Sequence, residues 1–128
     1  MYRKIGEEFI ADDFAHEQSV VFETGKGLVI FNSCSHGGIV NIVREVQMAL
    51  GGQKVYAVVG GFHMMKLSGM DTLAIPEEEV VETAQELKGL GVEKIYTGHC
   101  TGNIAFRILK KELGEMVHAL GTGETGIF

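Results

Sequence analysis

The chain has 128 residues, and 17 acidic against 11 basic side chains give it a formal net charge of −6 at pH 7. This length favours a single domain over residues 1–128, with one buried core. The negative charge disfavours non-specific nucleic-acid binding, because such binding needs a basic surface to neutralise phosphates. No apolar run approaches the roughly 18 residues of a membrane span. Two cysteines are too few for a disulfide scaffold, so we expect a cytoplasmic protein with free thiols and no membrane partner.

The order of the predicted elements indicates an α/β fold. Two β-rich runs joined by a Gly-Lys-Gly connection predict an antiparallel hairpin, with strands at Gln18–Thr24 and Leu28–Asn32. Three strand–loop–helix units follow, the first of which uses the second hairpin strand, and they predict a largely parallel sheet with right-handed crossovers. The further strands are predicted at Val55–Val59, Lys94–Thr97 and Met116–Leu120. The helices are predicted from about Ile39 to Leu50, from Pro76 to Gly91 and from about Asn103 to Leu113.

Three of the five histidines occupy equivalent places in these units. His36, His63 and His99 each follow a predicted strand, in a loop that contains glycine. The carboxyl ends of parallel strands share one edge of a sheet, so we expect these imidazoles to surround one crevice, with Cys34 and Cys100 nearby. Three imidazoles with an open fourth position are common at catalytic zinc, and imidazole also suits iron. The pattern predicts a divalent-metal site formed by Cys34, His36, His63 and His99, with zinc first and iron or manganese as alternatives.

Each of these residues also has a simpler interpretation. A single loop histidine is more often hydrogen-bonded or exposed than a ligand, and a free cysteine is often a small buried side chain. His16 and His118 lie outside the pattern, and we interpret both as structural or exposed. Repetition at three matching positions makes it as reasonable that at least two of these histidines share a metal as that none of them do.

The same loops have the form of an anion-binding cradle. Ser35, Gly37 and Gly38 lead into a helix, whose positive amino-terminal end suits phosphate, and Thr101-Gly102 leads into the last helix in the same way. No nucleotide-binding signature is present, so the pattern does not predict a nucleotide as ligand. It is compatible with a metal site that acts on a small phosphorylated substrate. A Cys–His nucleophile using Cys34 or Cys100 is a further alternative, but no orienting carboxylate stands out and no catalytic residue is assigned.

The loops and the strands before them resemble a known family. Lys26–Val43, Val55–Met64 and Val92–Gly102 are similar to segments of the metallo-β-lactamase superfamily. The closer resemblance is to its branch of uncharacterised metal-dependent hydrolases related to dihydropterin-aminobenzene-phosphate synthase or dihydropteroate synthase. The stretch Asp12–Gln18 is also similar, although His16 stands where an acidic residue is expected.

The resemblance implies an αββα sandwich of two similar halves, with one or two metal ions at the sheet edge that activate water for hydrolysis. By position, His99 matches the late histidine ligand of the family. Cys34 or His36 falls where many members carry a bridging aspartate, and His63 belongs to a motif without an assigned role.

The chain departs from the family in one large respect. The first metal motif, HxHxDH, is absent, so the resemblance implies only the carboxyl-terminal half of the sandwich: a mixed sheet with helices on one face, α/β or, by some schemes, α+β. The uncovered sheet face would then need a partner, either a second copy in a homodimer or a separate chain carrying the amino-terminal half. Our first hypothesis is a metal-dependent hydrolase domain whose activity is reduced or requires that partner. The alternative is a non-catalytic binding or assembly module that kept the fold and lost the metal chemistry.

Overall fold

The structure is a computed structural model that describes residues 2–128. Its strands are β1 (Tyr2–Ile5), β2 (Glu8–Ala11), β3 (Ser19–Thr24), β4 (Gly27–Cys34), β5 (Val55–Gly61), β6 (Lys94–Thr97) and β7 (Val117–Ala119). Its helices are α1 (Ile39–Ala49), α2 (Glu77–Gly89) and α3 (Asn103–Leu113), with short 3-10 turns at His99–Thr101 and Gly114–Met116. In residues 2–128, no helix has both the length and the hydrophobicity needed to cross a membrane.

The main sheet has the strand order β3-β4-β5-β6-β7. The hairpin predicted around Gly25–Gly27 is confirmed, because β3 pairs with β4 antiparallel, with Val21 opposite Ile30. The parallel core is also confirmed, since β5 lies parallel to β4, β6 to β5 and β7 to β6. The result is the mixed α/β sheet expected from the sequence.

All three helices pack on one face of this sheet. Alternation along β4 directs Leu28 and Ile30 toward the helices and Val29 toward the opposite face. Each helix buries apolar residues that recur at the 3.6-residue helical spacing, and these residues join the strands in one core: Ile39, Ile42, Val43, Val80, Ala84, Leu87, Ala105, Leu109 and Leu113.

The opposite face of the sheet, which we call the open face, is covered by aromatic side chains and the carboxyl-terminal tail, and its central residues Val29, Ala57 and Val59 are buried. The ring of Phe128 from the carboxyl-terminal tail lies edge-on against Phe31 and Tyr96, with ring centroids 5.9 and 5.3 Å apart. On the outer strand β3, the side chains of Val20 and Phe22 remain 57% and 56% exposed. The uncovered apolar surface expected from the sequence is therefore limited to the outer strand β3, and the centre of this face is buried.

The structure differs from the sequence-based prediction at the amino terminus and at two strand ends. Strands β1 and β2 form a separate antiparallel hairpin that was not predicted, because its side chains are largely exposed and carry no buried alternation. Strand β4 continues past its predicted end at Asn32, so Cys34 is the last residue of a strand. The loop predicted at Gly98–Gly102 contains a helical turn, which buries Cys100.

Candidate metal centre

The carboxyl ends of the central strands bring the predicted loops together. Cys34, the last residue of β4, pairs with Gly61, the last residue of β5. Strand β6 ends beside them at Thr97, and the turn His99–Thr101 begins two residues later. The shared edge expected from the strand order therefore carries residues from all three units.

Three donor side chains form a compact group at this edge. Cys34, His99 and Cys100 each offer one ligand atom, and these three atoms lie within 4.8 Å of one another. We call this group the thiol cluster. Cys100 is 5% exposed, Cys34 is half-buried and His99 is exposed, so the cluster opens to solvent on the imidazole side.

Gly61 makes room for the thiol cluster. A Cβ atom at this position would stand 2.5 Å from Cys100 Sγ and 3.0 Å from the carbonyl oxygen of Ser33. The first distance is shorter than Cβ contacts in packed proteins allow, and the second is tighter than most such contacts. The absence of a side chain at Gly61 thus lets the Cys100 sulfur lie across the end of β5 toward Cys34.

Backbone hydrogen bonds fix Cys100 in place. The His63 N–H donates to Cys100 Sγ at 3.2 Å, and the N–H groups of Met64 and Met65 donate to the Cys100 carbonyl at 2.9 and 3.1 Å. His63 and His99 both have left-handed backbone conformations, with φ of +52° and +48°. Such conformations cost free energy for residues other than glycine and are concentrated at functional sites.

His36 and His63 form a second group next to the thiol cluster. Their rings meet edge to face with centroids 4.4 Å apart. Glu17 accepts hydrogen bonds from the N–H groups of His36 and Gly37 at 2.7 and 3.0 Å, and its carboxylate also lies 3.4 Å from His36 Nδ1. The ring of Phe14 stacks on His36 at 5.8 Å. We call His36 and His63 the imidazole pair, and Glu17 is the carboxylate that holds it.

The electrostatic environment differs between the two groups. Burial, and then the neighbouring His36, lower the pKa of His63, while Glu17 raises it in part. Imidazole binds metal in its neutral form, which a lowered pKa favours. Burial also raises the pKa of the Cys100 thiol to about 11, and a hydrogen bond with Cys34 adds to this effect. A metal ion that binds Cys100 must therefore displace its proton.

The predicted ligands fall into both groups. Cys34 and His99 lie together in the thiol cluster, and His36 and His63 lie in the imidazole pair. The His63 N–H bond to Cys100 connects the two groups.

The prediction from sequence missed two residues of the site and left two histidines outside it. Cys100 was not chosen as a ligand, although it follows His99 directly. The resemblance leads us to expect an acidic residue at position 16, where the chain has His16, and Glu17 is the next residue. His16 itself is exposed, and His118 stacks on Tyr96 with centroids 4.8 Å apart, so both lie outside the site.

The residues predicted to cradle an anion are used in holding the loops together. Ser35 donates to the Gly61 carbonyl through both its N–H and its Oγ, each at 2.9 Å. The other bonds join the N–H of Gly37 to Glu17, the N–H of Gly38 to the Ser35 carbonyl, the N–H of Phe62 to Thr101 Oγ1, and the N–H of Gly102 to the His99 carbonyl. Anion binding by Ser35, Gly37, Gly38, Thr101 and Gly102 stays a prediction.

A cavity of about 580 Å³ adjoins the imidazole pair. It lies between α1 and α2 and is lined by both imidazoles and by the first turn of α1. An ion pair between Arg44 and Glu86, with N and O atoms 3.0 Å apart, borders it. Its volume is in the range that small-molecule sites occupy.

Comparisons with known proteins agree with the resemblance seen in the sequence. No protein-family model matches the chain. The chain is 37% identical over 124 residues to 7,8-dihydropterin-6-methyl-4-(beta-D-ribofuranosyl)-aminobenzene-5'-phosphate synthase of Methanocaldococcus jannaschii. The aligned region covers 97% of this chain and 40% of that protein. It also matches the crystal structure of Tm1679, a metal-dependent hydrolase of the beta-lactamase superfamily, with a TM-score of 0.82 and 31% identity over 96% of this chain and 44% of that one. The chain thus spans less than half the length of either protein.

Proposed function

Because the chain is related to the metallo-β-lactamase superfamily, we propose that it forms the part of a metal-dependent hydrolase that carries the thiol cluster. The main support is the convergence of three donor atoms within 4.8 Å at the carboxyl edge of the sheet. Ligands most often bind at this edge in open α/β sheets. The metal-dependent hydrolase with the same fold supports a divalent ion as the occupant.

The donor set fits zinc. Tetrahedral ligands at about 2.0–2.3 Å from zinc lie roughly 3.3–3.8 Å apart, so donors already within 4.8 Å need only small side-chain movements. Two sulfur donors favour zinc or iron over manganese, because thiolates are soft ligands. When bound, such an ion supplies Lewis acidity for hydrolysis. Cys34, His99 and Cys100 would hold it.

The imidazole pair would act beside the ion. Glu17 lies 3.4 Å from His36 Nδ1, and a carboxylate there favours a proton on Nδ1. Nε2 of His36 is then left as the acceptor for a proton or for substrate. The adjoining cavity of about 580 Å³ has the size of a small-molecule site. The compound in the name of the Methanocaldococcus jannaschii relative carries a 5'-phosphate, which supports a small phosphorylated molecule as substrate.

Metal analysis of the purified chain tests this proposal. After dialysis against zinc and removal of free ion, we expect stoichiometric zinc in the unmodified chain. His99→Ala should weaken zinc binding by more than about 100-fold, because it removes a ligand, whereas loss of an outer-shell partner costs about 10- to 100-fold. His118→Ala is the matched control and should retain full zinc content. Equal zinc content in the His99→Ala and unmodified chains would contradict the proposal.

His36→Ala measures the contribution of the imidazole pair. If His36 lies outside the ligand shell, zinc affinity should fall by no more than about 100-fold. A loss as large as that of His99→Ala would instead make His36 a ligand.

The open face supports a second proposal, that the chain associates with itself. Self-association is also what the alternative function, a non-catalytic assembly module, requires. Val20 and Phe22 are more than half exposed, and Val20 lies opposite the half-buried Phe31. Exposed apolar surfaces of this kind are typical of protein interfaces. We propose that a second copy of the chain covers this face, as the simplest two-fold assembly of such surfaces.

Solution mass measurements test this assembly. We expect a dimer at micromolar concentration, and Phe22→Glu should convert it to monomer by placing a charge in the interface. Met48→Glu is the matched control, because Met48 is 82% exposed but lies on α1, on the helix-covered side. A monomeric unmodified chain would contradict the homodimer.

A further inference from the structure

We propose that Cys34 and Cys100 form a reversible intramolecular disulfide when the chain meets a peroxide, and that this bond competes with the metal for the two sulfurs. The competition rests on the proposed metal site, whereas formation of the disulfide does not. The thiol cluster would then be a site of oxidative modification as well as a metal site.

The proximity of the two sulfurs supports the bond. They lie within 4.8 Å of each other. A disulfide requires a separation of about 2.05 Å, so the two sulfurs must move closer together on oxidation. Gly61, on the strand between them, has no side chain to obstruct that approach. The chain contains no other cysteine, so no alternative partner exists within one molecule.

The different burial of the two thiols sets the order of reaction. Cys34 is half-buried and meets a small oxidant first, whereas Cys100 is buried at 5% exposure. Peroxide transfers one oxygen to Cys34, which forms a sulfenic acid and releases water. The Cys100 thiol then gives up its proton and its sulfur attacks Cys34 Sγ, the S–O bond breaks, and the released hydroxide takes up a proton and leaves as a second water. In total, two thiols lose two protons and two electrons, and one peroxide becomes two waters.

The disulfide and the metal exclude each other because metal binding requires thiolates. Once Cys34 and Cys100 are joined, His99 is the one donor left in the thiol cluster. Oxidation should therefore release a bound ion, and a bound ion should protect both sulfurs from oxidation.

The test treats the full chain with hydrogen peroxide, with and without zinc, and follows intact mass, free thiols and released zinc. In the chelator-treated chain we expect a monomer lighter by two hydrogens, with no free thiol left and a Cys34–Cys100 cross-link in the peptide map. A dithiol reductant should restore both thiols. Zinc should slow the reaction at least about 10-fold, because it withdraws both thiolates from the oxidant. Cys34→Ser and Cys100→Ser, as matched controls, should gain oxygen or cross-link between molecules.

The possible outcomes separate this inference from the proposed metal site. Oxygen addition, or cross-linking between molecules, in the unmodified chain without loss of two hydrogens would overturn the disulfide, even if zinc binds normally. A disulfide that forms at the same rate with saturating zinc would overturn the competition and place any bound zinc away from the sulfurs. Protection by zinc, with release of zinc as the disulfide forms, supports both parts.

Discussion

The thiol cluster and the imidazole pair lie side by side, but different parts of the molecule hold them in place. The thiol cluster is positioned by the main chain, through the end of β4, the gap at Gly61 and the turn after β6. The imidazole pair is positioned by side chains, because Glu17 and Phe14 reach in from the segment before β3 to hold His36. This difference implies that the sheet determines the sulfur geometry, whereas a surface segment adjusts the imidazoles.

The largest effect is expected from adding a methyl group to the sheet edge. Gly61→Ala places Cβ against Cys100 Sγ and the Ser33 carbonyl, and overpacking of this kind costs about 1–3 kcal/mol of unfolding free energy. Chemical denaturation should show this loss, and zinc affinity should fall with it because the sulfur must move. Gly89→Ala, at the end of α2 with open space around it, is the control and should not destabilise the chain.

Removal of the Cys100 sulfur sharpens this test. If the clash is with Sγ, the double variant Gly61→Ala/Cys100→Ala should be destabilised by less than the sum of the two single variants, by about 0.5–3 kcal/mol. Strict additivity would show that the backbone contact with Ser33, and not the sulfur, dominates at Gly61.

A smaller effect is expected from the imidazole pair. In Glu17→Gln one carboxylate oxygen becomes an amide donor, so one of the N–H groups of His36 and Gly37 loses its acceptor. Loss of one such bond costs about 1 kcal/mol of unfolding free energy. Denaturation should show this loss while the zinc content of the thiol cluster stays unchanged.

Glu112→Gln, on the exposed side of α3, is the control for Glu17→Gln and should remain within about 0.5 kcal/mol of the unmodified chain. A collapse of zinc binding in Glu17→Gln would show that the two groups are not held independently.

The same contrast explains which features the sequence predicted. The β-rich runs, the Gly-Lys-Gly connection and the repeated strand–loop–helix units predict the hairpin, the parallel core and the edge that carries Cys34 and His99, because these features follow from local pattern and from strand order. Glu17 could not be identified in that way, since its role depends on the N–H groups of a loop about twenty residues further on. The sequence places Cys100 near the crevice but does not identify it as a ligand, because the helical turn that buries its side chain has no periodicity to detect.

The amino-terminal hairpin of β1 and β2 is an element of secondary structure that the sequence does not predict. Tyr2 and Phe9 are 75% and 71% exposed, so this part of the chain lacks the buried face that makes a strand recognisable in a sequence. Its turn at Gly6, where φ is +62°, is the one local sign of a hairpin.

The smallest effect concerns pH, and it tests whether the imidazole pair is electrostatically coupled. The pKa of His63 is lowered in the folded chain, so between its folded value and the usual 6.5 the unfolded chain binds more protons. Unfolding free energy therefore rises with pH through this window, and the contribution of His63 is complete above pH 6.5 and lost as pH falls through the folded pKa. Denaturation of the metal-free chain at a series of pH values should show this slope.

Substitutions in the imidazole pair separate the causes of that slope. His63→Gln should flatten the dependence, whereas His16→Gln, at an exposed position, should preserve it. Because Glu17 partly raises the pKa of His63, Glu17→Gln should lower that pKa further and extend the loss of stability to more acidic pH. If Glu17→Gln leaves the acid limb unchanged, the carboxylate holds His36 through its backbone bonds alone and has no electrostatic effect on His63.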